Sequence, residues 1–488
     1  MILTGDNTYK RSGAAYAGYM LVLFVSMVVT LFCLAAPKNS VYDLLPILPI
    51  SFAIMGTFVI APMQRSSRSW TILIFFVCSF LRYVVMPFVL CSDPCLIISS
   101  YALTKASCND AVLYMAYELI VMGIGLKVFQ AASPKLRTPF SRTRPMLIGE
   151  RGGVVLKAFV AIALFIFVFV PASRQGLSFV ALDAGTGVRA SGEVSTFANV
   201  TRQLVLMGLL VAFVLVAVWA ARENARTKSR LYYCIALLCA LACVSVVVDE
   251  KRSVQIYCAF AAIVLITALF PKKRKQTVLI IVGLATLLIA VLTVYKYFYV
   301  FQYGSYSEAL SQSSSFAGLG KTLDLYLLGP AAVASGLDSA GMQNQNIGAF
   351  LYDMARSFIG VSFLVKDSGM QTAGEIYNLF VSGGLNTSGL LLPIGVEAGI
   401  CTWLPLGPLL PLVFVVMAVL IERKIRSADS PFWIFFLSYI YIRFATCTVS
   451  AALSSVFLAV SSVIVIIGAL ALAQSLLRKR EVLDARIA

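Results

Sequence analysis

The sequence predicts an all-α polytopic integral membrane protein with about twelve transmembrane helices and a long structured outer loop before the tenth. Three observations point there. Hydrophobic residues make up 60% of the 488, charged ones only 12%, and the mean hydropathy is +0.90. A soluble chain of this length has no core large enough to hide so much apolar surface. Apolar runs of about 18 residues or more, the length a helix needs to cross a bilayer, follow one another along the chain. Every second loop between them is rich in Lys and Arg, the bias that marks cytoplasmic loops. The runs do not alternate polar and apolar, which excludes a β-barrel.

The first run, about residues 16–36, follows Lys10 and Arg11 and has no A-x-A-like cleavage site, so no signal peptide is expected. Runs at about 44–62, 70–90 and 111–131 come next, with Arg65 and Arg68 between the second and third. A strongly basic loop with Lys135, Arg137, Arg142, Arg144 and Arg151 precedes the fifth, about 154–170. The outer loop 171–202 leads to the sixth, about 203–221, which closes on Arg222, Arg226, Lys228 and Arg230. The seventh and eighth, about 231–248 and 254–270, are joined outside by Asp249-Glu250-Lys251-Arg252-Ser253. Lys272, Lys273, Arg274 and Lys275 lie inside before the ninth, about 278–297. Residues 298–388 form the long outer segment. Within it, 346–365 is apolar but interrupted by Asp353 and Arg356, and reads as an interfacial helix rather than a thirteenth span. The tenth run, about 389–421, holds Pro393, Pro405, Pro408 and Pro411 and must break or kink. The last two, about 432–450 and 452–473, flank the final outer turn. Both termini are then cytoplasmic, and residues 1–488 read as one polytopic domain without an internal repeat.

The net charge of +17 is accounted for by short inner loops that fix orientation, so nucleic acid is not an expected partner. There is no histidine among the 488 residues, which removes the usual general base and a common metal ligand. Eleven cysteines show no CxxC or zinc spacing, and neither metal nor cofactor is expected. Cys91, Cys95 and Cys108 fall in one outer loop, where a disulfide or free thiols both fit.

Charges inside spans need a reason. Arg82 in the third, Glu118 in the fourth and Arg443 in the eleventh all fall toward the outer half. Arg82 and Glu118 read either as a pair locking helices or as part of a basic cleft. Outer loops add Arg174, Arg189, Arg202, Arg252 and Arg356. Guanidinium groups there suit the diphosphate of a lipid headgroup, which they grip bidentately. Among many outer carboxylates, Glu397 sits in an apolar, glycine-rich, kinked stretch, where desolvation raises a pKa toward that of a working base. Tyrosines and phenylalanines crowd the long segment, as an interfacial belt or as stacking surfaces for sugars.

The chain resembles the Wzy-type O-antigen and oligosaccharide repeat-unit polymerases of bacteria over most of its length. Beyond the architecture, the resemblance rests on three local features. Arg174 is followed after ten residues by Gly185, Arg252 sits in a short turn between two spans, and Gly383-Gly384-Leu385-Asn386-Thr387-Ser388 with Glu397-Ala398-Gly399 opens a late span. Arg356 is followed at the same spacing by Asp367, not glycine, so a second copy of the arginine–glycine pattern is missing. Related ligases rely on an outer-loop histidine, which this chain lacks. The resemblance implies a metal-independent glycosyltransferase in the bacterial cytoplasmic (inner) membrane that polymerises undecaprenyl-diphosphate-linked oligosaccharide units. It implies membrane lipids and a chain-length regulator protein as further partners. Glu397 would be the base, and Arg82, Arg174, Arg252, Arg356 and Arg443 would bind diphosphate. A flippase of lipid-linked sugar, or a ligase-like transferase, is the competing expectation.

Overall fold

The computed structural model describes residues 6–35, 41–67, 69–133, 153–174, 177–179, 196–248, 253–300, 319–342, 345–365, 368–384, 390–449 and 452–487. Helices dominate them. Seven helices are long and apolar enough to cross a membrane: Gly18–Ala35, Ile47–Ser67, Trp70–Ser92, Lys105–Ala132, Val200–Thr227, Leu404–Ser427 and Leu453–Leu477. Val154–Phe169, Arg230–Val244, Val254–Leu269 and Pro431–Ala445 are shorter and equally apolar, and Arg274–Val300 is a further helix of 27 residues. The protein is an all-α polytopic membrane protein. Helices prevail because a bilayer offers no partner for an unpaired backbone group.

Two long helices are locally underwound where the sequence demands it. Pro62 and Pro87 have no N–H, and each ring crowds the carbonyl four residues back. The chain relieves this with π-helical segments at Gly56–Ile60 and Leu81–Val85, just before each proline. The second of these carries Arg82. A third π segment, Val463–Ile467, follows Ser461 and Ser462, whose hydroxyls bond back to the Leu458 carbonyl at 3.1 and 2.6 Å.

Two boundaries differ from the sequence reading. The seventh helix ends at Val244, and Val246–Val248 is a strand, antiparallel to Leu177–Phe179 with Leu177 opposite Val248 and Phe179 opposite Val246. A run of three valines favours the pleated backbone once the helix has stopped. The ladder ties the loop after the fifth helix to the turn before the eighth. The span expected at 389–421 to break or kink at its prolines is broken, and its long apolar helix begins later, at Leu404. A short helix, Ile394–Cys401, is followed by a single 3-10 turn, Leu404–Leu406, and the helix Leu409–Ser427. Its prolines sit at caps and first turns, where a missing N–H does no harm. Gly407 makes the fold-back possible: a side chain there would come within 2.3 Å of the Gly395 carbonyl oxygen.

The described part of the long segment holds short helices, as the sequence led one to expect. Leu319–Leu327, Pro330–Asp338, Ile347–Ser357 and Ala373–Val381 are separate short helices. They pack against Met86–Ser92, Lys105–Ala132, Ile394–Cys401 and Leu453–Ser462. Leu328, between the first two and at φ 52°, reaches Arg82, roughly 15 Å along its helix from Ser92. Ile347–Ser357 is capped by Asn346, whose Oδ1 accepts from the Ala349 N–H at 3.1 Å. At 11 residues it is far too short to span a bilayer. It buries Ala349, Tyr352 and Asp353 while Ile347 and Leu351 stay exposed, an interfacial pattern.

Candidate functional site

Arg82 and Glu118 are brought together. Nη1 of Arg82 donates to Glu118 Oε2 at 2.7 Å, and its Nε donates to the Leu328 carbonyl at 2.9 Å. Tyr83 adds its hydroxyl to the same carboxylate oxygen at 3.3 Å. Arg82 is 1% exposed and Glu118 3%. Gly395 is pressed against Glu118, since a Cβ there would meet Oε1 at 2.7 Å. Of the two readings the sequence left open, this geometry is that of the lock. One ion pair joins two long helices, the inward-dipping Leu328 loop and the Ile394–Cys401 helix.

Beside that lock, Asp324 receives the N–H groups of Ala331 and Ala332 at 3.0 and 2.9 Å, so it caps the helix that Pro330 begins. It is fully buried, and burial pushes its carboxyl up to about 6.

Glu397 sits on the short Ile394–Cys401 helix, 2% exposed. Its carboxyl meets that of Asp353, from the Ile347–Ser357 helix, within hydrogen-bonding reach. Two carboxylates have no proton to donate to each other, and among the described residues Glu397 Oε1 has no other partner. A proton held by one of them would relieve the repulsion between the two carboxylates. Burial raises both groups above the ordinary carboxylate range, and for Glu397 the Asp353 charge adds to it. Around the pair, the Leu453 N–H donates to Glu397 and the Gly374 N–H to Asp353. Arg356, one turn after Asp353, pairs with Glu375 at 2.6 Å and lies 6.0 Å from the Tyr352 ring. Glu375 in turn completes a capping box with Thr372.

Arg443 arrives from the other side. It ends the Pro431–Ala445 helix, lies 4.1 Å over the Tyr257 ring, and donates from Nη1 to the Ser455 carbonyl at 2.9 Å. Glu397 and Arg443 thus grip the same first turn of the Leu453–Ser462 helix. Its Nε is buried and has no hydrogen-bond partner among the described residues.

The remaining arginines lie apart. Arg174 is exposed and donates to the carbonyls of Phe167 and Val168, closing the C-terminus of Gly153–Phe169. Arg202 is buried near the start of Thr196–Thr227. Arg252, Arg189 and Gly185 lie outside the described residues, as do Asp249, Glu250, Asp367 and Asn386. Of the long segment's aromatics, Tyr377 is fully buried with its hydroxyl 2.9 Å from Ser335, and Tyr352 is buried too. The eleven cysteines are free. Cys91 abuts Cys33, not Cys95 or Cys108, at 3.2 Å between sulfurs.

One anchor carries no sequence signal of its own. Glu422 accepts from the Trp70 and Thr71 N–H groups at 2.8 and 3.0 Å and from the Ser69 and Thr71 hydroxyls at 2.6 and 2.8 Å. It also pairs with Arg426. It is the N-terminal cap of the Trp70–Ser92 helix, supplied from more than three hundred residues away. In the sequence it stands only as an acid beside Arg423, Lys424 and Arg426.

No family model matches the chain, and no curated protein or solved structure matches it.

Proposed function

We propose that the protein is a membrane glycosyltransferase that polymerises lipid-diphosphate-linked oligosaccharide units at the outer face of a bacterial cytoplasmic membrane. The seven long apolar helices, the four shorter ones and Arg274–Val300 make the twelve spans of this reading. The basic loops orient them with both termini inside. Residues 319–401 then belong to the outer side.

One observation carries the proposal. A buried carboxyl pair and a guanidinium with an unpartnered Nε are fastened to one turn of helix at Leu453 and Ser455. A buried donor left without an acceptor calls for a ligand. The reaction needs what these groups offer. The acceptor sugar's hydroxyl oxygen attacks the anomeric carbon, and the bond from that carbon to the diphosphate oxygen breaks. The diphosphate leaves with the electron pair, and the hydroxyl proton passes to the ionised member of the Asp353–Glu397 pair. Arg443 and Arg356 stabilise the charge on the leaving diphosphate, and Arg252 and Arg174 are the further candidates carried over from the sequence. Arg82 holds the fold of the site through Glu118 and Leu328.

Purified protein in liposomes, supplied with a synthetic undecaprenyl-diphosphate repeat unit, should yield a ladder of products. Movement of the lipid across the bilayer with no new glycosidic bond would identify a flippase and end the polymerase reading.

A further inference from the structure

The geometry points to a disulfide between Cys33 and Cys91, a link that the sequence does not suggest. Cys33 lies near the end of the Asp6–Ala35 helix, and Cys91 near the end of Met86–Ser92. Their sulfurs are 3.2 Å apart, nearer than an unbonded sulfur pair ordinarily sits and close enough that a small rotation joins them. The contact is not isolated. Phe32 and Phe88, each within one turn of a cysteine, have ring centroids 5.0 Å apart, so the two helices abut at this level.

The position has a structural use. Only 22% of the apolar stretch Gly18–Ala35 is buried, so this first helix is held to the bundle by little packing. Cys91 lies two residues before Asp93, whose carboxylate receives the Gly320 N–H at 2.8 Å. The bond would pin the outermost helix beside the anchor of the long segment. Both cysteines are at the end of the bundle that carries that segment, which the proposed orientation turns to an oxidising compartment. A second thiol pair, Cys243 and Cys258, is within hydrogen-bonding reach but sealed from solvent. Cys91 is partly exposed, as an attacking thiol must be. Its thiolate attacks a protein or small-molecule disulfide, giving a mixed disulfide and one released thiol. The Cys33 thiolate then displaces the second. Two thiol protons are lost, and the acceptor disulfide is reduced to two thiols.

The test is differential alkylation of the full-length protein. Cells are lysed directly into acid and detergent, and the denatured chain is alkylated, then reduced, then alkylated with a second reagent. Cys33 and Cys91 should carry only the second label, and an unreduced digest should contain one linked peptide joining them. That peptide should vanish in Cys33→Ser and in Cys91→Ser and persist in Cys95→Ser and Cys108→Ser. First-label modification of both residues overturns the inference, as does a linked peptide that survives in Cys33→Ser. The polymer ladder is read separately, so failure here leaves the glycosyltransferase proposal standing.

Discussion

The carboxyl of Asp353 faces that of Glu397 within hydrogen-bonding reach, across the junction of two short helices. Each side chain is almost wholly buried, and each takes one backbone N–H from a third element. Such a pair can hold one negative charge without holding two.

Replacing Glu397 with Gln should lower polymer formation by about a hundredfold or more, the scale of a lost general base, while leaving protein level unchanged. In Asp353→Asn the charge that raises Glu397 is gone, so the acid limb of the pH–rate profile should move to lower pH. Rates of ladder formation across pH measure both. A glutamine variant that polymerises at the normal rate removes Glu397 from the chemistry.

The same carboxyls set a pH dependence of stability. Asp324 rises from 3.8 to about 6, and Asp353 and Glu397 move in the same direction. Between their unfolded and folded values the folded chain holds protons that the unfolded chain has lost. Stability from these groups is therefore complete below pH 4 or so and declines as pH rises through 6 and above, by about 3 kcal/mol for Asp324 alone. The thermal midpoint in detergent should fall between pH 5 and pH 8. A midpoint that rises over that range contradicts the burial of these acids.

Arg82 and Glu118 should behave as a unit. Glu118→Leu leaves a guanidinium buried and unpaired, a loss on the order of 3–5 kcal/mol. Adding Arg82→Met removes that charge, and most of the stability should return. Thermal unfolding of the four proteins completes the cycle. If the double variant is no better than the single, the pair is not a closed lock and Arg82 has further partners.

Arg443→Lys should keep the charge but lose the grip on Ser455 and the fit over Tyr257, and with them most of the activity. Arg252→Lys is expected to fail likewise. Wild-type activity should survive EDTA, because arginine meets the diphosphate charge. Full activity in both lysine variants would mean that only positive charge is needed. Inhibition by EDTA, restored by magnesium, would redirect attention to Asp249 and Glu250.

The helical, membrane-spanning character was legible because it depends on long-range composition. No local contact can undo some twenty apolar residues in a row. That residues 346–365 hold a short helix and not a thirteenth span was legible from Asp353 and Arg356 interrupting the apolar run. The candidate base was legible as Glu397, because an acid in an apolar, proline-broken stretch declares its desolvation in the sequence. Pairings were not. Sequence offered Asp353 as one acid among many outer ones, and it left Glu118 either a lock or a cleft wall. The valine strand after Val244 was hidden by an apolar run that suits helix and strand alike.

The sequence by itself determined that the chain lives in a membrane, roughly where its helices run and that Glu397 is desolvated, since each of these follows from the residues nearby. Only the tertiary structure decided which charges meet. Asp353 reaches Glu397, Glu422 caps Trp70, Arg82 takes Glu118 and Leu328, and Cys33 meets Cys91. Each joins elements far apart in the chain, so side-chain geometry, to which hydropathy is blind, selects the partner.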